Sequence, residues 1–139
     1  MRIAEIEDLT RIIELMQEVN LSKELRLIES STIKLKILEY IEQRKVCVLI
    51  REDIIQGYYI IQDYTTLFGV YELGIVSVYV TKKYKHLFKY ILSCISKEAS
   101  DYGVTRIRMS VDTGDNRRLE KLIKHFGYTT VGFNAFCTL

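Results

Sequence analysis

The chain has 139 residues, of which 48% are hydrophobic and 27% charged, and its formal net charge is +2. That is ordinary globular usage, with length for one domain and one sizeable core, and it excludes a disordered chain. The charge is too small to argue for a nucleic-acid partner, and no apolar run approaches the roughly 20 residues of a membrane helix.

Met1 leads straight into "RIAEIEDL" with no signal-peptide pattern, so a cytoplasmic protein is expected. Cys47, Cys94 and Cys137 stand far apart among apolar residues, with no CxxC pair and no Cys/His cluster. Neither a metal site nor a disulfide framework is expected; three buried thiols are.

In "MRIAEI", Ile3 and Ile6 alternate with polar neighbours and predict a short first strand. Asp8 then stands where it can cap a helix whose apolar positions are Leu9, Ile12, Ile13, Met16 and Val19. "LSKELRLIESS" is polar and mixed. "STIKLKILEYIEQ" puts Ile33, Ile37, Leu38 and Ile41 on one face of a second helix. "KVCVLIR" reads as a strand, "EDI" as a tight turn and "IQGYYIIQDY" as the next strand. "TTLFG" connects to "YELGIVSVYV", a long, mostly apolar strand suited to the interior of a sheet.

A basic turn follows, then a helix of about 15 residues with Phe88, Ile91, Leu92, Ile95 and Ala99 as its stripe. Gly103 suits a left-handed C-cap. "TRIRMSV" alternates as a strand, and "DTGDN" is a loop. "RRLEKLIKHF" is a short helix with Leu119, Leu122, Ile123 and Phe126 inward, ended by Gly127. "YTTVGFNAFCTL" supplies one or two final strands. This order predicts a single α/β domain, residues 1–139, with a mixed sheet and helices on both faces. Ligands of such sheets favour the carboxyl ends of strands, where the basic turn after Val80 lies.

Lys82, Lys83, Lys85, His86 and Lys89 crowd that turn. Positive charge at a helix start opposes the macrodipole, at about 0.3–1 kcal/mol per poorly placed residue. An anionic partner reverses the sign, whereas solvated side chains that point away are simply screened. Elsewhere, His125 suits the C-terminal end of its helix, and Arg117 and Arg118 suit a solvated face or a phosphate. Tyr58, Tyr59, Tyr64 and Tyr71 fit either the lining of a ligand groove or ordinary strand positions. Asn116 suits an N-cap.

Taken together, the element order, "RIAEIEDLTRIIELM" and "DNRRLEKLIKHFGY" resemble the GCN5-related N-acetyltransferase (GNAT) superfamily over nearly the whole chain. Asn116, Gly127 and Tyr128 fall at the places of the family's Asn, short helix and Gly-Phe pattern. The resemblance implies a mixed sheet of six to seven strands with about four helices, acetyl-CoA as donor and an amine as acceptor. It also implies a pyrophosphate turn patterned Arg/Gln-x-x-Gly-x-Gly/Ala, whose backbone N–H groups meet the phosphates. Here that turn reads "KHLFKY": Lys85 takes the first position, while Phe88 and Tyr90 replace both small residues.

Carried over residue by residue, the cofactor contacts are Val78, Val80, Lys85, His86, Leu87, Phe88, Lys89, Tyr90 and Asn116. Many members place a general-acid tyrosine where this chain has Ile123. The family's base, a carboxylate on the fourth strand, falls near Glu72, which at the start of a strand reads more readily as an exposed edge carboxylate. Two functions follow: an acetyl-CoA-dependent N-acetyltransferase, or an inactive binding or structural module of the same fold with a protein partner.

Overall fold

The computed structural model describes residues 1–18, 30–110, 117–125, 127, 129–131 and 134–138. Its elements run β1 (Arg2–Ile3), a 3-10 turn (Ile6–Asp8), α1 (Leu9–Glu18), α2 (Ser30–Glu42), β2 (Val46–Arg51), β3 (Ile54–Thr65) and β4 (Tyr71–Val80). A second 3-10 segment (Lys82–Leu87) leads into α3 (Phe88–Tyr102), followed by β5 (Arg106–Ser110), α4 (Arg117–His125), β6 (Thr129–Val131) and β7 (Asn134–Thr138). The strands are hydrogen-bonded in the order β1-β2-β3-β4-β5-β7-β6, a mixed sheet of seven. The α/β class, the strand number and the helix order therefore agree with the sequence. The chain divides into two compact units, Met1–Ile60 with Ser77–Phe88 and Ile61–Val76 with Lys89–Leu139.

In the first unit, β1–β2 and β2–β3 are antiparallel, the latter pairing Val46 with Ile60 and Leu49 with Gly57 before a shift at Leu49/Ile50. Glu52 and Asp53 close this hairpin at φ 53° and 61°. Both residues are left-handed, which matches strand twist at a local conformational cost for non-glycine residues. Val46 through Leu49 are all buried, so β2 is covered on both faces. Ile12 and Leu15 of α1 and Ile37 and Ile41 of α2 join Val46, Val48, Tyr58 and Ile60 in one core. The spacing assigned Ile12, Ile37 and Ile41 to these faces but passed over Leu15, which is fully buried, while Leu9, Ile13 and Met16 are only half-buried.

Three details of this unit differ from the sequence reading. The first strand stops at Ile3, and Ile6 lies in the 3-10 turn, 59% exposed. Asp8 does not stand ahead of the helix as its cap. It ends the 3-10 turn, accepts the Glu5 N–H at 2.8 Å, and holds Arg2 through two guanidinium contacts of 2.7 and 2.9 Å. Val19 lies outside the described residues.

In the second unit, β4 and β5 are parallel from Glu72↔Arg106 to Ile75↔Met109, and β5–β7 and β7–β6 are antiparallel. Leu73, Ile75, Ile107 and Met109 are buried, alternating along their strands. The stripe of α3 is Ile91, Leu92, Ile95 and Ala99, all buried, with Phe88 half-buried at its start. Gly103, at φ 71°, ends α3: its N–H donates to Ser100 O and that of Val104 to Ala99 O, the paired bonds of a left-handed cap. Cys47 is buried, but Cys94 is only half-buried. The C-terminal stretch forms two strands, β6 and β7. No described helix is long and apolar enough to cross a membrane.

Candidate functional site

Two groups of residues carry chemistry. The first is the end of β4 and the basic segment after it. Among the described residues the β4–β5 ladder runs to Ile75↔Met109, and β4 runs on to Val80. Strand backbone that is not paired on one side is met well by an extended amide-bearing ligand. Val78 and Val80 are half-buried there.

The segment after Val80 is anchored to the start of β3. Thr81 donates its N–H to Gln56 O at 2.8 Å and its hydroxyl to Gln56 Oε1 at 3.0 Å. Gly57 makes this close approach possible, because a Cβ at that position would meet Tyr79 O at 2.7 Å. From Thr81 the backbone turns into the 3-10 segment, kinked at Tyr84 (φ −111°, ψ 18°), and the Tyr84 N–H donates back to Thr81 O. The Phe88 N–H donates to Lys85 O, so α3 grows directly out of the segment. Neither helical start carries an acidic residue in its first turn.

The five basic residues do not act alike. Lys83 is drawn to Glu52 at 2.9 Å and lies 5.1 Å from the centre of the Tyr84 ring. Hydrogen bonds from Lys83 and Tyr84 hold the Glu52 carboxyl below its ordinary range. Lys82, Lys85, His86 and Lys89 are exposed, and Leu87 is half-buried. Of the two aromatics in the small-residue positions, Phe88 is half-buried and Tyr90 is 44% exposed. Asn116 and Tyr128 lie outside the described residues.

The second group centres on Glu72. The carboxylate is fully buried, not an exposed edge group, because β4 is an interior strand. Its Oε2 accepts the Tyr64 hydroxyl at 2.9 Å and faces Arg108 Nε at 3.2 Å. Its Oε1 accepts from Arg106 Nη1 at 3.1 Å and meets Arg108 Nη2 at 3.5 Å. Burial and the bond to Glu72 raise the Tyr64 pKa. On the alternate positions, Tyr71 donates to Asp63 at 2.9 Å.

Sequence reasoning found Glu72 but missed Arg106 and Arg108, although "TRIRMSV" spaces both arginines to one face of a strand. Tyr58 and Tyr59 are core residues, only 1% and 3% exposed, so they line no groove. Burial pushes the Tyr58 pKa up to about 12, and its hydroxyl pairs with Ser77 at 2.9 Å. Ile123 is buried in α4.

No protein-family model matches the sequence, and a search of curated proteins finds no match. Solved structures do match. A ribosomal-protein-alanine N-acetyltransferase from Brucella melitensis aligns with a TM-score of 0.78 at 16% identity, over 99% of this chain and 98% of its own. A GNAT-family acetyltransferase from Listeria monocytogenes aligns at 0.70 and 18%, over 97% and 90%. A NatC complex bound to Gag peptide and CoA aligns at 0.65 and 11%, over 76% and 79%. At these identities the likeness speaks for the backbone, and the chain has the fold of the GCN5-related N-acetyltransferases.

Proposed function

We propose that the chain is an N-acetyltransferase that takes acetyl-CoA as donor and a primary amine as acceptor. The observation that carries this reading is β4, which continues to Val80 beyond Ile75, its last partner of β5 among the described residues. Its backbone there suits the amides of the donor's extended arm. Lys85 and Lys89 supply positive charge for the phosphates, His86 adds a hydrogen-bonding ring, and a helix start that lacks acidic residues adds to the attraction. Likeness to a CoA-bound complex supports the same donor.

In the reaction, the neutral amine nitrogen attacks the thioester carbonyl carbon, the C–N bond forms and the C–S bond breaks. The thiolate leaves and the amine gives up a proton. Glu72 is the candidate base. Because both its oxygens are already engaged, the proton travels to it through the Tyr64 hydroxyl, which accepts from the amine as it donates to Glu72. With Ile123 in place of a phenol, the thiolate takes its proton from water.

A second reading is a binding module that keeps the fold without the reaction. Phe88 and Tyr90 favour it, because two rings replace the small residues that let backbone approach a pyrophosphate. Thiol release separates the two. Acetyl-CoA incubated with a panel of primary amines is expected to yield free thiol at an amine-dependent rate. Acetyl-CoA binding with no amine-dependent release would leave the binding module.

A further inference from the structure

We propose that Glu52 is a positioning residue for a ligand's phosphates: from the tip of the β2–β3 hairpin it holds Lys83 and Tyr84, and so fixes the kinked segment that follows β4. The inference rests on the donor reading above and adds a residue to that site. Glu52, Lys83 and Tyr84 all belong to the first unit.

Glu52 and Asp53 turn the hairpin at φ 53° and 61°, both left-handed. Asparagine and glycine meet a turn of this hand most readily, and a glutamate there carries a local cost. Such a cost persists where the side chain is put to use. Here the tip brings the Glu52 carboxylate to Lys83 Nζ, 31 residues along the chain, at 2.9 Å. Tyr84, beside it, is the residue at which the segment departs from helical geometry. The Tyr84 N–H donates to Thr81 O at 2.9 Å, and its ring lies 5.1 Å from the Lys83 ammonium and 6.3 Å from the His86 ring. Lys83, and after it Tyr84, holds the Glu52 carboxyl below its ordinary range.

The segment therefore has two anchors. Thr81 is fastened to Gln56 before the kink, and the Glu52 contacts fall on the kink itself. Lys83 and Glu52 are each 66% exposed, and an exposed ion pair adds little to global stability. The effect is local: the contact narrows the arrangements open to a short segment that receives the phosphates in the donor reading. A segment ordered before its ligand arrives costs less to bind. Charge alone works the other way, because Glu52 is an anion beside a site for anions and its field repels them. The two effects have opposite signs, which makes them separable.

The test is Glu52→Gly, which removes the carboxylate and suits a left-handed position, so that the fold is not put at risk. Its denaturation midpoint is expected to match or exceed that of the native protein. Amide exchange of the Tyr84 N–H is expected to speed up about fivefold, with that of Thr81 unchanged. Calorimetry at low ionic strength is expected to show acetyl-CoA and inorganic pyrophosphate both bound about threefold more weakly. Glu52→Gln keeps an acceptor for Lys83 and Tyr84 and is expected to restore part of the loss. Unchanged Tyr84 exchange, affinity that holds or rises in Glu52→Gly, or a midpoint that falls with the affinity overturns the proposal. The two ligands separate the claims. Pyrophosphate affinity that falls while acetyl-CoA binds neither protein drops the donor reading and keeps the role of Glu52. Acetyl-CoA bound equally by native protein and variant keeps the donor reading and drops that role. If neither ligand binds, both fall.

Discussion

The Tyr64 hydroxyl donates to Glu72 Oε2 at 2.9 Å, eight residues along the chain and across the β3–β4 hairpin. That bond, with two arginines on the same carboxylate, turns a buried charge from a liability into a fixed point. A buried ion pair is rarely worth much against an apolar replacement, but removing one partner strands the rest.

Glu72→Ala should therefore destabilise the protein by about 3 kcal/mol, since it leaves two guanidinium groups facing each other. Urea denaturation followed by circular dichroism measures it. Tyr64→Phe removes one neutral donor and should cost about 1 kcal/mol. Equal losses would mean that charge is not what holds the cluster.

Gly57→Ala should cost about 2 kcal/mol, because the new Cβ meets a backbone oxygen, Tyr79 O, at 2.7 Å, and backbone cannot turn aside as a side-chain tip does. The same substitution pushes on the segment that Gln56 anchors through Thr81. Its acetyl-CoA affinity should fall together with its denaturation midpoint, and calorimetry on the folded variant reads the first.

Much of the fold was legible because its signals are local. The stripe of Ile91, Leu92, Ile95 and Ala99 is set by helical spacing, and Gly103 ends α3 because glycine accepts φ 71° without cost. The site was less legible. Glu72 reads as an edge carboxylate until β5 lies beside β4, and its arginines are 34 and 36 residues away. Parallel pairing leaves no short-range trace, so "TRIRMSV" shows a two-faced strand and not the carboxylate that its charged face meets. The kink at Tyr84 is equally silent, since helical spacing does not distinguish a 3-10 segment from the first turns of α3.

Acid should expose the Arg2–Asp8 pair. The hydrogen bond from Arg2, with the Glu5 N–H, holds the Asp8 carboxyl below its ordinary value of 3.8 despite partial burial. A depressed folded pKa gives stability that is present above the unfolded value and lost as pH falls through the folded one. Asp8→Ala should be less stable than the native chain by about 1 kcal/mol at pH 7. The difference should shrink once pH drops below about 4. A gap that stays constant down to pH 2 would assign the loss to packing.

Lys85→Glu should weaken acetyl-CoA binding about tenfold at low ionic strength, and less at 0.5 M salt, because Lys85 is exposed and its attraction is screened. Lys83→Glu reverses a charge already engaged with Glu52 and should weaken binding less. Titrations of both variants at two salt concentrations rank them, and an equal effect would mean that the segment contributes only a diffuse field.

The most direct measurement is isothermal titration of the native protein with acetyl-CoA, beside a Phe88→Gly/Tyr90→Gly double variant. Micromolar binding by the native protein is the predicted result, Phe88 being half-buried and Tyr90 exposed. No binding by the native protein, with binding gained by the double variant, would contradict it: the two aromatics would then close a site that the rest of the fold still provides.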